Sequence, residues 1–358
     1  MLPGMAPKSL VTGVLRRMAP RFLVIGAALV LAACAGEAGP EGPSGATGPA
    51  GPQGPPGEAA VLDVANLSCT ECHNDTTLIV SKEAQFRLAS VHGTGEAFER
   101  GGDTNCAGCH GTEGAKARIN AGLPPHDPSV EGVVNVSPYD CRTCHNIHTT
   151  YTKADFSLTG AGQPVVLERT GGTFDKGLGN LCANCHQIRN ELPVATGGTF
   201  EVTGTRFGTH YGVEAQMLLG EGGLLATGSP SVHYEQTDDA CVTCHMGDER
   251  NHTYEPQVVR CQSCHADLET FDNDGVQTEI AALLEEVKAL LIDSGIMLAD
   301  YEENGEIQHN RSVPGVYPEA VASAMWDYMF VVSDQSMGVH NPAFARALLE
   351  AAKAAFEG

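Results

Sequence analysis

The chain predicts a mostly irregular body with few helices, concentrated in its last third and carried on an extended N-terminal stalk. Three patterns predict it: a five-residue cysteine–histidine motif repeated six times, glycine at every third position from Gly36 to Gly57, and helical apolar spacing sustained only beyond residue 276. With 42 Gly, 20 Pro and 6% aromatic residues in 358, the composition favours turns and loops over a large aromatic core.

The first 33 residues carry Lys8, Arg16, Arg17 and Arg21 and then an apolar run of twelve residues, Phe22 to Ala33. Twelve residues are too few to span a bilayer and fit the core of a signal peptide. The stretch Leu31-Ala32-Ala33-Cys34 resembles the lipobox of bacterial lipoproteins, which implies that Cys34 is lipidated and begins the mature chain. An ordinary secretory signal with a free cysteine is the other reading. The lipoprotein is favoured because the remaining twelve cysteines all belong to the repeated motif. No later stretch is long and apolar enough for a membrane span, so lipid would be the membrane anchor.

From Gly36 to Ala59 the chain reads as eight Gly-X-Y triplets. Glycine at every third position is what a collagen triple helix requires, because only glycine fits at its axis. Eight triplets are marginal for that assembly, so an extended spacer is favoured over a trimer-forming stalk. In polyproline geometry 24 residues reach about 75 Å. The expected domains are therefore residues 1–33, a signal peptide; 34–59, the lipidated cysteine and its collagen-like linker; and 60–358, the body, with its helical part at 276–358.

Within the body, C-x-x-C-H occurs as Cys69/Cys72/His73, Cys106/Cys109/His110, Cys141/Cys144/His145, Cys182/Cys185/His186, Cys241/Cys244/His245 and Cys261/Cys264/His265. Zinc sites pair C-x-x-C units without needing a histidine after each one, and disulfides need that histidine even less. Covalent c-type haem uses all three residues: two thiols add to the vinyl groups, and the imidazole reaches the iron. Six haem c groups are expected, each bound through its two cysteines and ligated by the motif histidine. Haems then form much of the core, which is why a body with few aromatics and many turns can be stable. Spacings of 37, 35, 41, 59 and 20 between motifs exclude a solenoid of fixed period.

Fourteen histidines less six leave eight. Bis-histidine ligation needs six of them as distal ligands, and only six methionines follow Cys34 as competitors. His148 is the strongest candidate, three residues beyond His145 and aimed at a neighbouring haem. His92 ends a short amphipathic stretch; His210, His233 and His252 surround the fifth motif; His340 precedes a helix start. His126, in a proline-rich loop, and His309, in a polar loop, are the expected spares.

Beyond residue 276, Ile280, Leu283, Leu284, Val287, Leu290 and Leu291 recur at helical spacing and predict a helix over 278–292. A second helix starts at Pro318 and carries Val321, Met325, Trp326 and Met329. A third has Asn341 as its N-cap and Pro342 as its first residue, with Phe344, Leu348 and Leu349 on the buried side. These stripes read as core, not as iron ligands.

Without residues 1–33 the chain has 17 Lys and Arg against 44 Asp and Glu, a formal charge of −27. That excludes nucleic acid as a partner, since phosphate backbones demand the opposite sign. The CVTCHM segment followed by His252, the run CQSCHADLETFDNDGVQTEIAALLEEVKALL and the ending SMGVHNPAFARALLEAA resemble the multihaem c-type cytochromes of metal-reducing, electroactive bacteria, above all their lipid-anchored outer-membrane members. GVHNP also resembles an ending found in the wider group that includes ammonia-forming nitrite reductases, which implies a distal-ligand role for His340. A collagen-like stalk and six motifs instead of ten are departures from many relatives.

The resemblance implies an outer-membrane lipoprotein, on the extracellular face or in the periplasm, that passes electrons to other redox proteins or extracellular acceptors. Bis-histidine iron has no vacant site, so no residue is catalytic in this reading. The alternative is a reductase of nitrite, hydroxylamine or a sulfur oxyanion with one open haem; no C-x-x-C-K motif marks such a haem here. A subunit of a cytochrome filament is a third reading, as is a homo-trimer built through the stalk.

Overall fold

The computed structural model describes residues 73, 77–94, 99–103, 105–130, 135–160 and 162–357. These lie within one compact unit, Val61–Gly358. Cys34, the Gly-X-Y stalk, Cys69 and Cys72 fall outside the described residues.

Short helices and turns make up the part that carries the motifs. Helices α1 (Thr77–Leu88) and α2 (Ser90–Thr94) come first, then α3 (Thr112–Ala121), α4 (Cys141–Cys144), α5 (Asn180–Ala183), α6 (Glu214–Leu219), α7 (Val232–Gln236), α8 (Cys241–His245) and α9 (Val258–Cys261). The three longest helices follow: α10 (Val276–Asp293), α11 (Glu319–Asp334) and α12 (Pro342–Ala354). Strands are few and form antiparallel pairs: β1 (Val165–Val166) with β2 (Thr173–Phe174), β3 (Thr199–Val202) with β6 (Gly315–Pro318), and β4 (Tyr301–Glu303) with β5 (Glu306–Gln308). In the middle pair Phe200 faces Tyr317, so a strand from the motif region is stitched to the segment leading into α11.

The main core lies among α10, α11 and α12, which pack on one another. Ile280, Leu284, Val287 and Leu291 of α10, Met325 and Trp326 of α11, and Phe344, Leu348 and Leu349 of α12 are all buried there. Asn341 caps α12 by accepting from Phe344 N at 3.2 Å, and Pro342 sits at the first turn, where a missing N–H costs nothing. Arg346–Glu279 (2.5 Å) and Lys353–Glu286 (2.6 Å) tie α12 to α10 on the exposed side.

This bundle grips the motif region through apolar packing on Ile188, Phe200, Val213 and Met217 and through a few polar contacts. Asn341 Nδ2 donates to Met217 O and Ser229 O, both at 3.0 Å. Trp326 Nε1 donates to Gly222 O at 3.0 Å, and the Asp327 carboxylate accepts from Leu224 N and Leu225 N at 2.7 and 2.9 Å. The segment 217–229, which leads from the fourth motif to the fifth, is thus fixed to the helices.

Two helices depart from the expectation of a body without regular structure before residue 276. Helix α1 contacts the site through side-chain polar groups: Lys82 Nζ donates to Glu249 O at 2.6 Å and Gln85 Oε1 accepts from His252 N at 3.1 Å. The buried residues of α3 are Thr112, Gly114, Ala115, Arg118 and Ile119, small or polar with one exception. Neither helix shows a strong apolar stripe, because neither packs on a conventional hydrophobic core. Among the described residues no helix is long and apolar enough to cross a membrane.

Candidate functional site

In the five motifs whose cysteines are described, a single helical turn brings both cysteines and the histidine to one face, since positions i, i+3 and i+4 align on a helix. Accordingly the histidine N–H donates to the carbonyl of the first cysteine at 2.9 Å in four motifs: His110 to Cys106, His145 to Cys141, His186 to Cys182 and His265 to Cys261. The fifth motif is itself helix α8. At the third, Asp140 caps the turn by accepting from Arg142 N at 2.7 Å, while the Thr143 hydroxyl accepts from Asp140 N at 3.1 Å. None of the ten described motif cysteines is in a disulfide.

The motif cysteines differ in depth. Cys264 of the sixth motif and Cys141 of the third are exposed, while the other eight described are half-buried. For Cys264 the reason is its place in the chain. The turn from Cys261 to His265 follows the short helix α9, and none of its residues packs into either apolar cluster, so the thiol is left at the surface with the Ser263 hydroxyl 3.9 Å from its sulfur. The turn itself is intact: Cys264 N donates to Cys261 O at 3.1 Å, as the motif's geometry requires.

Each motif histidine faces one histidine from outside the motifs. Ring centroids lie 6.2 Å apart for His73 and His148, 6.4 Å for His110 and His210, 6.2 Å for His145 and His252, 6.0 Å for His186 and His92, 6.3 Å for His245 and His340, and 6.3 Å for His265 and His233. Twelve of fourteen histidines are used, each once. Taking ~1 Å from each centroid to its ring nitrogen leaves about 4 Å between facing nitrogens, room for one metal with two bonds of ~2 Å.

The two remaining histidines have other partners. His126 Nδ1 lies 2.7 Å from Glu168 Oε2 and 3.0 Å from an Arg169 guanidinium nitrogen. His309 Nδ1 lies 2.9 Å from Asp300 Oδ2.

Seven of the paired rings have Nδ1 bound to an oxygen. His145 donates to Phe156 O (2.7 Å), His245 to Tyr254 O (2.8 Å), His210 to Tyr211 O (2.8 Å), His233 to Val339 O (2.6 Å) and His252 to Arg250 O (2.7 Å). His186 meets the Glu214 carboxylate at 3.0 Å and His340 the Asp334 carboxylate at 2.7 Å. A proton held on Nδ1 leaves the Nε2 lone pair as the metal donor, and the bond fixes the ring's direction. His148 (φ 61°) and His210 (φ 70°) also adopt left-handed backbone, which non-glycine residues enter at a cost and which re-aims the ring.

Burial shapes the electrostatics. It pulls the pKa of His92 down to about 4 and lowers those of His210, His245 and His252, keeping these imidazoles neutral and able to bind metal. The Glu214 charge overrides burial at His186 and pushes it up to about 10. At His340 burial works downward, but the Asp334 charge and hydrogen bond win and the pKa is raised.

The pairs form one connected network. His145 and His148 are three residues apart yet serve different pairs. Tyr254 touches three pairs: its ring lies 5.2 Å from that of His92 and 6.1 Å from that of His252, and its carbonyl receives His245. Val339, whose carbonyl receives His233, is the neighbour of His340. The side chains of Cys109 and Cys185, of the second and fourth motifs, lie side by side, as do those of Cys182 and Cys241 of the fourth and fifth.

A C-x-x-C-H motif with a remote second imidazole fits haem c better than zinc. Structural zinc needs four donors, and no group of three or more His, Cys, Asp or Glu suited to a metal occurs among the described residues. The cysteine pairs and facing imidazoles fit a haem iron held from both sides, where the group would supply one-electron chemistry. Sequence reasoning did not find Arg118, Glu214, Tyr254 or Asp334, which support this arrangement without binding a metal themselves. One weak signal was available: a tyrosine follows four of the outer histidines within three residues, at Tyr151, Tyr211, Tyr234 and Tyr254.

Neither a protein-family model nor a curated protein matches the chain. Two solved structures resemble it. The outer cell wall cytochrome OcwA is 22% identical, with a TM-score of 0.48 over 76% of this chain and 50% of its own. An undecahaem cytochrome from the S-layer of Carboxydothermus ferrireducens is 16% identical, with a TM-score of 0.45 over 76% of this chain and 40% of its own. The chain thus spans half or less of the length of each.

Proposed function

We propose that the chain is a multihaem electron-transfer protein, passing electrons along six covalently bound c-type haems with bis-histidine ligation. The observation that carries this reading is the facing of every motif histidine with one outside histidine at 6.0–6.4 Å between ring centroids. Two axial imidazoles leave iron no vacant position for substrate, so the supported chemistry is electron transfer. The network through Tyr254, Val339 and the neighbouring motif cysteines keeps adjacent sites close enough to form a chain.

The sequence adds the place. Cys34 carries the lipid anchor after residues 1–33 are removed, residues 34–59 hold the body off the outer membrane, and residues 60–358 carry the haems. Acceptors are other redox proteins or extracellular acceptors, with the body outside the cytoplasm.

Low-temperature EPR of the oxidised protein, with the mass of the denatured chain, tests this reading. Six haem masses and low-spin signals alone are expected. A high-spin ferric signal together with rapid reduction of nitrite or hydroxylamine would replace it by a reductase with one open haem.

A further inference from the structure

Among the rings whose Nδ1 partner is seen, two differ from the others in what holds the imidazole. Wherever else an Nδ1 partner is seen it is a backbone carbonyl: Phe156, Tyr211, Val339, Arg250 or Tyr254. His340 instead meets Asp334, whose side chain is 1% exposed, and His186 meets Glu214, 18% exposed.

Neither carboxylate is placed where local structure would want it. Asp334 is the last residue of α11, at the negative end of the helix macrodipole, where an acidic residue is disfavoured. It is nonetheless held in position: the Ser336 hydroxyl donates to Asp334 Oδ2 and accepts from His340 N at 3.1 Å, closing a three-residue ring. Glu214 opens α6, where acid is favoured, but its carboxylate turns to His186 and feels the charge of His340 as well. The two sites are therefore neighbours, consistent with the thiol contact between Cys182 and Cys241. A carboxylate on Nδ1 makes an imidazole a stronger donor than a carbonyl does, and a buried negative charge favours the more positive, oxidised metal.

We propose that Asp334 and Glu214 are positioning residues that give their two sites lower reduction potentials than sites whose imidazoles stand only on backbone carbonyls. This rests on the electron-transfer reading above. Electrons fill His145/His252 and His233/His265, whose observed Nδ1 partners are carbonyls, before these two sites.

Spectroelectrochemical titration of the full haem-loaded protein tests it, comparing wild type with Asp334→Asn, Glu214→Gln and the double variant. Asn and Gln keep an acceptor oxygen for Nδ1–H while removing the charge. Expected are six haem masses and unchanged low-spin EPR in each, with one midpoint potential rising in each single variant, two in the double, and the others fixed. Unchanged potentials would overturn the tuning role. So would a new high-spin signal without a shift of the low-potential step, since the carboxylate then only props the ring. If Asp334→Asn fails to mature, Glu214→Gln carries the same test at the second site. Failure of both to mature would assign the carboxylates to structure and withdraw the proposal. Fewer than six haems or high-spin iron in the wild type would instead defeat the underlying reading.

Discussion

Arg118 donates from one guanidinium nitrogen to Asn184 O at 3.0 Å and from another to Asn184 Oδ1 at 3.4 Å, across 66 residues of sequence. The same side chain, 1% exposed, donates through Nε to Gly108 O at 2.8 Å and through Nη1 to Leu123 O at 3.2 Å. It therefore clamps the second motif to the fourth, with no carboxylate among these partners. Gly108 is required for the clamp, since a Cβ there would come within 2.2 Å of Pro125 O.

Arg118→Met is expected to keep the volume of the stem but strand several buried carbonyls. At ~1–3 kcal/mol for each unsatisfied group, the loss should be at least about 3 kcal/mol. Urea unfolding of the haem-loaded protein checks it. A change below about 1 kcal/mol would show that the clamp contributes little.

How much of this could be read from the sequence differs by kind of interaction. The motif cysteines and histidines are legible because they recur at one fixed spacing, and the outer histidines because six irons, in the proposed reading, would demand six more donors. The depth of each motif is not legible: Cys264 obeys the same spacing as Cys185 yet lies at the surface, because depth depends on what packs around the turn. Nor is it legible which ring faces which: His145 and His148 are three residues apart but face His252 and His73, and a left-handed backbone at His148 redirects it. The C-terminal helices show themselves through apolar periodicity because they pack on one another. Helix α3 stays hidden because its buried face is Thr112, Gly114, Ala115, Arg118 and Ile119; Gly114 lies so close to the second motif that a Cβ would meet Ala107 O at 2.2 Å. Asp334 and Glu214 look like ordinary surface acids in sequence.

Asp327 makes stability pH-dependent. Its carboxylate is fully buried on α11, and burial pushes its pKa up to about 7 against the opposing effect of the Leu224 and Leu225 N–H groups. A carboxyl raised above its unfolded value near ~3.9 binds more protons in the native state than in the unfolded one across that interval. Stability from this group is thus greatest at low pH and is lost as pH rises from about 4 to 7, by an amount on the order of 2–4 kcal/mol. Urea midpoints should fall between pH 5 and 7.5 in wild type, and this component should vanish in Asp327→Asn. An identical pH slope in the two proteins would remove Asp327 from the account.

Cys34→Ser probes the N-terminus. Membrane fractions should lose the protein, or retain it with residues 1–33 uncleaved, because one lipidated cysteine is the proposed anchor. Normal processing with undiminished membrane retention would rule the lipid out.

His340→Gly, set against the double variant His126→Ala and His309→Ala, tests the assignment of ligands and spares. His340 faces His245 at 6.3 Å and stands on Asp334, whereas His126 and His309 pair with Glu168 and Asp300 and face no histidine ring. Removing the His340 ring should leave all six haems attached through their cysteines but turn one to a high-spin or water-ligated form. Its potential should rise, because a strong donor has been lost. Added imidazole should refill the space and restore the low-spin spectrum, a rescue that general misfolding would not permit. The double variant should keep six low-spin haems and every potential associated with the six pairs. If it, rather than His340→Gly, produced the high-spin species, the pairing of His245 with His340 would have to be abandoned and His126 or His309 counted among the ligands.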